Sequence, residues 1–464
     1  MIVMKFGGTS VQDANAMQRV LSIVKSRIPK KPLVVVSAMS GVTDALIHCA
    51  ETSHLGREDA ALERFEKEVY VPHRRVLQEL IQESQLREPL MKTMEENFRE
   101  VRTLFHGLSI LGELTPRSLD AIASYGERFC SLILAASLLE HGIQTHWINA
   151  CDFLITDDQH TKANPLMDLS LAKARETVVP VLEQNEVVVT QGFVGSNRIG
   201  QTTTLGRGGS DFSATILGAL LDAEEIEIWT DVPGVMTADP RVVPEASTIS
   251  ELSYTEAAEL SYFGAKVLHP KTIWPAVEKK IPIRILDTFH PENSGTRVLE
   301  NPRINDHPVK AVTSIRNLSI LTVEGRGMLG VPGVAARAFT AVAKEKVNLL
   351  MITQSSSEQN ICFVIEQKAA NSTIHALEDE FEIEIARHQI DTIRSQDKVV
   401  IIAVVGAGMK GTPGIAAKVF GALGHAGINV ISIAQGSSEY NLSFVVHEKD
   451  GDEAVRSIHR EFQL

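Results

Sequence analysis

The chain has little of what marks a secreted, membrane-bound or nucleic-acid-binding protein. Its 464 residues hold four scattered cysteines, Cys49, Cys130, Cys151 and Cys362, with no Cys-x-x-Cys pair and no Cys/His cluster. That excludes a disulfide framework or a cysteine-based zinc module and fits reduced thiols in a cytoplasmic protein. Positive charge is in deficit. A net charge of −13 sets the surface against nucleic acid and anionic membrane, so neither is expected as a partner. Long apolar runs are also missing; the longest, 33–36 and 399–405, are the size of strands and too short to span a bilayer. The opening Met1-Ile2-Val3-Met4-Lys5-Phe6-Gly7-Gly8 has no basic region followed by an apolar stretch, so it does not read as a secretory signal. What remains is ordinary globular composition, and the length predicts two to four domains at roughly 100–200 residues each.

The first two-thirds alternate short apolar runs with amphipathic stretches. Segments 2–6, 33–37, 146–149, 186–190, 226–230 and 283–286 read as strands, and 13–27, 119–141 and 211–221 as helices. Strands alternating with helices predict an α/β domain with a largely parallel sheet layered by helices, binding ligands where glycine-rich turns follow strand ends. Segment 57–114 departs from this. Rich in Glu, Arg, Leu and Gln and poor in β signals, it reads either as a helical insertion over the active site or as a plain solvated bundle.

From Val309 onward an internal repeat takes over. Gly325-Arg326-Gly327-Met328-Leu329-Gly330-Val331-Pro332-Gly333 returns as Gly406-Ala407-Gly408-Met409-Lys410-Gly411-Thr412-Pro413-Gly414. Thr353-Gln354-Ser355 returns as Ala434-Gln435-Gly436 at the same offset of 81 residues. The first copy is predicted as strand 318–323, helix 334–344, strands 347–353 and 361–365, helix 373–380 and a closing strand 383–390. The second copy stops after helix 452–462 and lacks a closing strand, while the apolar segment 309–315 has no partner. The economical reading is that 309–315 completes the second copy's sheet, so that the first copy is inserted within the second; an open edge would otherwise stand beside an orphan strand.

Two loops carry chemistry. Lys5-Phe6-Gly7-Gly8-Thr9-Ser10 follows a strand and precedes a helix, so its glycines let backbone amides approach a phosphate and Lys5 adds a point charge. The Walker spacing is absent. Thr202-Thr203-Thr204-Leu205-Gly206-Arg207-Gly208-Gly209-Ser210-Asp211 joins a strand to a helix with three glycines, four hydroxyls and one guanidinium. Arg207 offers a fork suited to a carboxylate; Ser210 or Asp211 alone would be explained as a helix cap.

These loops occur in order with Ser37-Ala38-Met39-Ser40-Gly41-Val42-Thr43, Gly126-Glu127-Arg128, Trp229-Thr230-Asp231-Val232, Thr237-Ala238-Asp239-Pro240-Arg241 and Gly264-Ala265-Lys266-Val267-Leu268-His269-Pro270. The set resembles the aspartokinases of the amino acid kinase superfamily, and the repeat resembles their tandem, interlocked ACT (βαββαβ) domains. The resemblance implies a kinase domain over 1–296, one ACT domain over 317–393 and a second built from 308–316 plus 398–464. It implies ATP-dependent phosphorylation of L-aspartate to 4-phospho-L-aspartate, the first step towards lysine, threonine and methionine. Matched position by position, Lys5 and Asp211 are the catalytic pair, and Thr43, Glu127, Arg207, Gly208, Gly209 and Ser210 bind aspartate. Lys5, Gly7, Gly8, Thr9, Ser10, Thr230, Asp231, Met236, Arg241 and Lys266 face ATP, with Mg2+ bridging the phosphates and no dedicated protein metal cage. Met236 stands where the family usually has tyrosine; it can pack on a purine but lacks the hydroxyl and the ring. Gln354 and Gln435, beside Ser/Gly-rich turns, suit the polar groups of a small amino acid effector. Segment 352–358 is most similar to the threonine-sensitive type found in bifunctional aspartokinase–homoserine dehydrogenases, which implies threonine rather than lysine. Exposed sheet edges in the repeat imply a homodimer or higher assembly through the ACT domains.

Overall fold

A computed structural model describes residues 1–264, 268–303, 307–355 and 359–464. The chain divides into two units. The first comprises Met1–Val235, Thr248–Tyr254 and Val267–Pro302, the second Met236–Ser247, Thr255–Lys266 and Arg303–Leu464.

In the first unit, Ile2–Phe6 and Pro32–Val36 are buried at every position. A strand covered on both faces has no use for the polar half of an alternating pattern, so these sequences run almost wholly apolar. They lie at the centre of an eight-stranded sheet ordered Thr145–Trp147, Val187–Gln191, Pro32–Val36, Ile2–Phe6, Glu225–Thr230, Ile283–Asp287, Thr296–Leu299, Glu251–Ser253. All neighbouring pairs are parallel except Ile283–Asp287 with Thr296–Leu299. Phe6 is in register with both Val36 and Trp229, so three strands end side by side and their following loops share one rim of the sheet.

Three differences from the sequence reading arise here. The predicted helix 119–141 is two helices, Pro116–Ala123 and Tyr125–Glu140, the first capped by Thr115 and started by Pro116. A small three-stranded sheet, Ile155–Thr156, Val194–Asn197 and Thr202–Thr204, is present; its strands are too short and too polar to announce themselves. Segment 57–114 is helical but is neither a solvated bundle nor a cover for the cleft described below. Phe65, Phe98 and Phe105 are fully buried, and Phe98 packs on Phe129 of Tyr125–Glu140 with ring centroids 4.4 Å apart. The segment therefore extends the core of the first unit.

The second unit is built on a six-stranded antiparallel sheet ordered Met351–Gln354, Asn360–Glu366, Ala311–Glu324, Thr392–Val405, Asn441–His447, Ser432–Gln435. Its two central strands are 14 residues long and serve both repeats. Ala311–Ile315 pairs with Ile401–Val405, and Ile320–Glu324 with Thr392–Gln396, with shifts in register between. Two cores result, one around Leu321, Phe363 and Leu377 and one around Val312, Val400, Ile402 and Phe444.

The closing strand predicted over 383–390 is overturned. Glu382–Ala386 is a short helix, and the strand begins only at Thr392. The alternation Glu382-Ile383-Glu384-Ile385 imitates a strand, yet Ile383 is 61% exposed. In this helix Ile385 packs against the core of the first repeat, while Arg337 pairs with Glu384 at 2.5 Å and with Glu380, at the end of the preceding helix, at 2.9 Å.

Candidate active site

Lys5 is the penultimate residue of the central strand Ile2–Phe6, and its side chain is 11% exposed. Its Nζ stands 2.7 Å from Asp211 Oδ1. Asp211 lies in the first turn of the helix Gly209–Leu220, which begins after Gly208 at φ 73°. Gly206, at φ 80°, brings the chain so close to its neighbour that an added Cβ would stand 2.9 Å from the Thr161 carbonyl oxygen. Only glycine takes such positions without strain, and the two left-handed residues set Arg207 between them. Arg207 makes no ion pair or side-chain hydrogen bond among the described residues.

These groups face a cavity of about 510 Å³ in the first unit. Lys5, Thr43, Glu127, Arg207, Gly208, Gly209, Ser210 and Asp211 all line it. The helix amides of Gly209–Leu220 add positive potential at the same end. Glu127, in the first turn of Tyr125–Glu140, is 4% exposed. Burial pushes its carboxyl up to about 8, against the opposing pull of the backbone amides of Ala38 and Glu127 and of the Lys5 charge. Its Oε2 has no hydrogen-bond partner among the described residues. A buried acceptor left open beside a cavity is arranged for a donor that arrives with a ligand.

The residues matched to ATP are gathered less completely. Gly7 N donates to the Trp229 carbonyl at 3.0 Å, tying the first loop to the end of Glu225–Thr230. Ser10 is fully buried, and its hydroxyl shares a 2.7 Å hydrogen bond with Thr288, so that side chain serves the fold. Gly8 and Thr9 sit beside it in the same short turn, Gly8–Val11. Thr230 donates to Asp231 at 3.2 Å. Met236 and Arg241 belong to the second unit, where the exposed Arg241 guanidinium closes on Asp239 at 2.7 Å. Lys266 lies outside the described residues. Gln354 and Gln435 line two separate cavities of about 310 and 570 Å³ in the second unit, each with glycines of its own repeat.

The cavity also contains residues that the sequence reading missed. Ser37, Asp44, Asp120, Thr161 and Phe193 line it. Ser37 and Asp44 flank or sit inside a motif already singled out, and their closeness to Thr43 was the available signal. Asp120 is one acid among many in a helical pattern, and nothing local distinguishes it.

A largely parallel α/β sheet that presents Lys5 near the end of a central strand, with a small second sheet whose strand Thr202–Thr204 leads into Arg207, Asp211 and a helix N-terminus at the same cavity, defines a class of anion-handling enzyme domain, here followed by a duplicated βαββ unit. Residues 1–287 match the amino acid kinase family, and residues 321–381 and 402–462 each match the ACT domain. The chain is 34% identical over 466 residues to lysine-sensitive aspartokinase 3 of Escherichia coli, covering 99% of this chain and 98% of that one. It is 37% identical over 472 residues to the chloroplastic bifunctional aspartokinase/homoserine dehydrogenase 1 of Arabidopsis thaliana, covering 100% of this chain and 51% of that one. The chain thus spans about half the length of the bifunctional relatives it matches. Among solved structures, E. coli aspartokinase III in complex with aspartate and ADP superposes with a TM-score of 0.82 at 31% identity, each chain fully covered. The chain belongs to the amino acid kinase family, in its aspartokinase branch with ACT domains.

Proposed function

We propose that the chain transfers the γ-phosphoryl group of ATP to the side-chain carboxylate of L-aspartate. The observation that carries this reading is one cavity holding both an open buried carboxylate oxygen, Glu127 Oε2, and a guanidinium without an ion-pair partner among the described residues, Arg207. Those two groups complement the ammonium and carboxylate of an amino acid. The second carboxylate would then approach Lys5, Gly209 and Ser210. A carboxylate oxygen attacks the γ-phosphorus, the new P–O bond forms as the bond to ADP breaks, and no strong base is required because the nucleophile is already ionised. Lys5 offsets charge on the transferring group, and Asp211 holds the lysine in place across 2.7 Å. On the nucleotide side, the family resemblance alone assigns Gly7, Gly8, Thr9, Ser10, Thr230, Asp231, Met236, Arg241 and Lys266 to ATP, and Mg2+ would supply charge neutralisation for the phosphates. The solved relative bound to aspartate and ADP supports it.

Arg207→Lys tests the site directly. Lysine keeps the charge and loses the fork, so the aspartate KM is expected to rise about 10- to 100-fold while the ATP KM moves far less. A rise confined to the ATP KM would move Arg207 to the nucleotide and refute this arrangement.

The repeat is read as the regulatory half, in two ACT domains with the boundaries 317–393 and 308–316 plus 398–464. Threonine is the proposed effector, bound near Gln354 and Gln435, in a cytoplasmic homodimer formed through the ACT units. The strands Met351–Gln354 and Ser432–Gln435 meet each other through a 3.0 Å hydrogen bond between Thr353 and Ser432, yet leave Ile352 and Ile433 exposed, and these apolar side chains support a contact between subunits. The E. coli relative is named for sensitivity to lysine, so both amino acids belong in the assay. In the Gln354→Ala, Gln435→Ala double variant, the threonine concentration for half inhibition is expected to rise about tenfold or more, each lost hydrogen bond being worth about 0.5–1.5 kcal/mol. Inhibition of the wild type by lysine alone would overturn the effector assignment.

A further inference from the structure

Asp120 sits in the helix Pro116–Ala123, is 1% exposed and lines the cavity that holds Lys5 and Arg207. Three donors converge on its carboxylate. Thr204 Oγ1 donates to Oδ1 at 2.5 Å, His160 Nδ1 to Oδ2 at 2.8 Å, and the Thr161 amide to both oxygens at 3.0 Å. A carboxylate this deep in the protein is tolerated only with its acceptor capacity filled. An apolar residue would serve simple packing at lower cost.

The donors lie on the two segments that frame Arg207. Thr204 ends the strand Thr202–Thr204, three residues before the arginine. Thr161, held at φ 68°, directs its carbonyl at Gly206, the residue immediately before Arg207. Ala163 N also donates to the Thr204 carbonyl at 2.9 Å, closing the two segments together. Arg207 has no side-chain anchor of its own among the described residues, so its direction into the cavity depends on the backbone turn. The geometry points to Asp120 as a positioning residue for the amino acid substrate: through Thr204 and Thr161 it fixes the turn that aims Arg207 at the substrate carboxylate. This inference rests on the reading of Arg207 given above.

The test is steady-state kinetics of the full chain with Asp120→Asn, which keeps the shape and removes the charge. The aspartate KM is expected to rise between about 10- and 100-fold, with kcat and the ATP KM changing less than about threefold. Thr204→Val, which removes one donor at nearly constant volume, should shift the aspartate KM the same way by a smaller factor and serves if Asp120→Asn fails to fold. Because either change acts through Arg207, combining it with Arg207→Lys should raise the aspartate KM little beyond Arg207→Lys alone. A lowered Tm with an unchanged aspartate KM, or effects that multiply in the double variant, would overturn the inference while leaving the kinase reading standing. Absence of aspartate phosphorylation by the wild type would overturn both.

Discussion

Lys5→Ala is expected to lower kcat by on the order of 10²-fold or more, because it removes a fixed positive charge from the place where phosphoryl oxygens gain negative charge. The structure adds a cost that the sequence did not reveal. Lys5 is 11% exposed and its Nζ is 2.7 Å from Asp211, itself 17% exposed. Deleting the lysine leaves that carboxylate without its ion-pair partner in a poorly solvated place, so the Tm should fall as well. Stability and chemistry are separated by a second pair of variants. Lys5→Met fills the same volume without charge, and Lys5→Met with Asp211→Asn also removes the stranded carboxylate. The double variant should regain most of the lost Tm and none of the lost kcat. Turnover near the wild-type value in any folded Lys5 variant would refute the assignment.

Much of the first unit was legible because burial on both faces writes itself into sequence. Segments 2–6 and 32–36 are almost wholly apolar, and both are central strands of the sheet. The repeat was legible for a different reason: two copies must each fill a core, so Met328 and Met409, Ala338 and Val419, and Phe363 and Phe444 occupy matching places in two separate clusters. The pairing of 311–315 with 401–405 follows from the same demand, since a sheet short of one strand takes the available apolar segment.

What stayed hidden depends on partners distant in sequence. Asp120 looks like any acid on an amphipathic helix until Thr204, 84 residues away, brings its hydroxyl within 2.5 Å. Ser10 belongs to a phosphate-loop pattern, but Thr288 claims its hydroxyl from 278 residues away. The Ile383–Ile385 alternation was misleading because only Ile385 packs on the core while Ile383 is exposed, and the contacts that hold the segment, including the Arg337 ion pairs to Glu380 and Glu384, are tertiary. Local pattern decides which segments are apolar; it does not identify the side chain that an isolated polar group will meet.

The pH dependence of aspartate use should carry the signature of Glu127. Its folded carboxyl is pushed up from 4.5 to about 8 by burial, so in the free enzyme it is largely protonated at neutral pH. A protonated carboxyl does not hold an ammonium strongly, and binding the substrate must therefore expel a proton. Below about pH 8, kcat/KM for aspartate is expected to fall about tenfold for each unit of decreasing pH, and above it to level off. Stability should move in the opposite sense. Between about 4.5 and 8 the folded chain retains a proton that the unfolded chain releases, so the stabilising contribution of this group is complete below 4.5 and is lost as pH rises through 8. Glu127→Gln removes both effects: its aspartate kcat/KM should be low and free of this limb, and its Tm relative to the wild type should rise with pH across the same window. Added aspartate should restore wild-type stability at the upper end, because the ammonium compensates the buried charge. The same rising limb in Glu127→Gln would show that another group titrates, and that Glu127 is not the partner of the substrate ammonium.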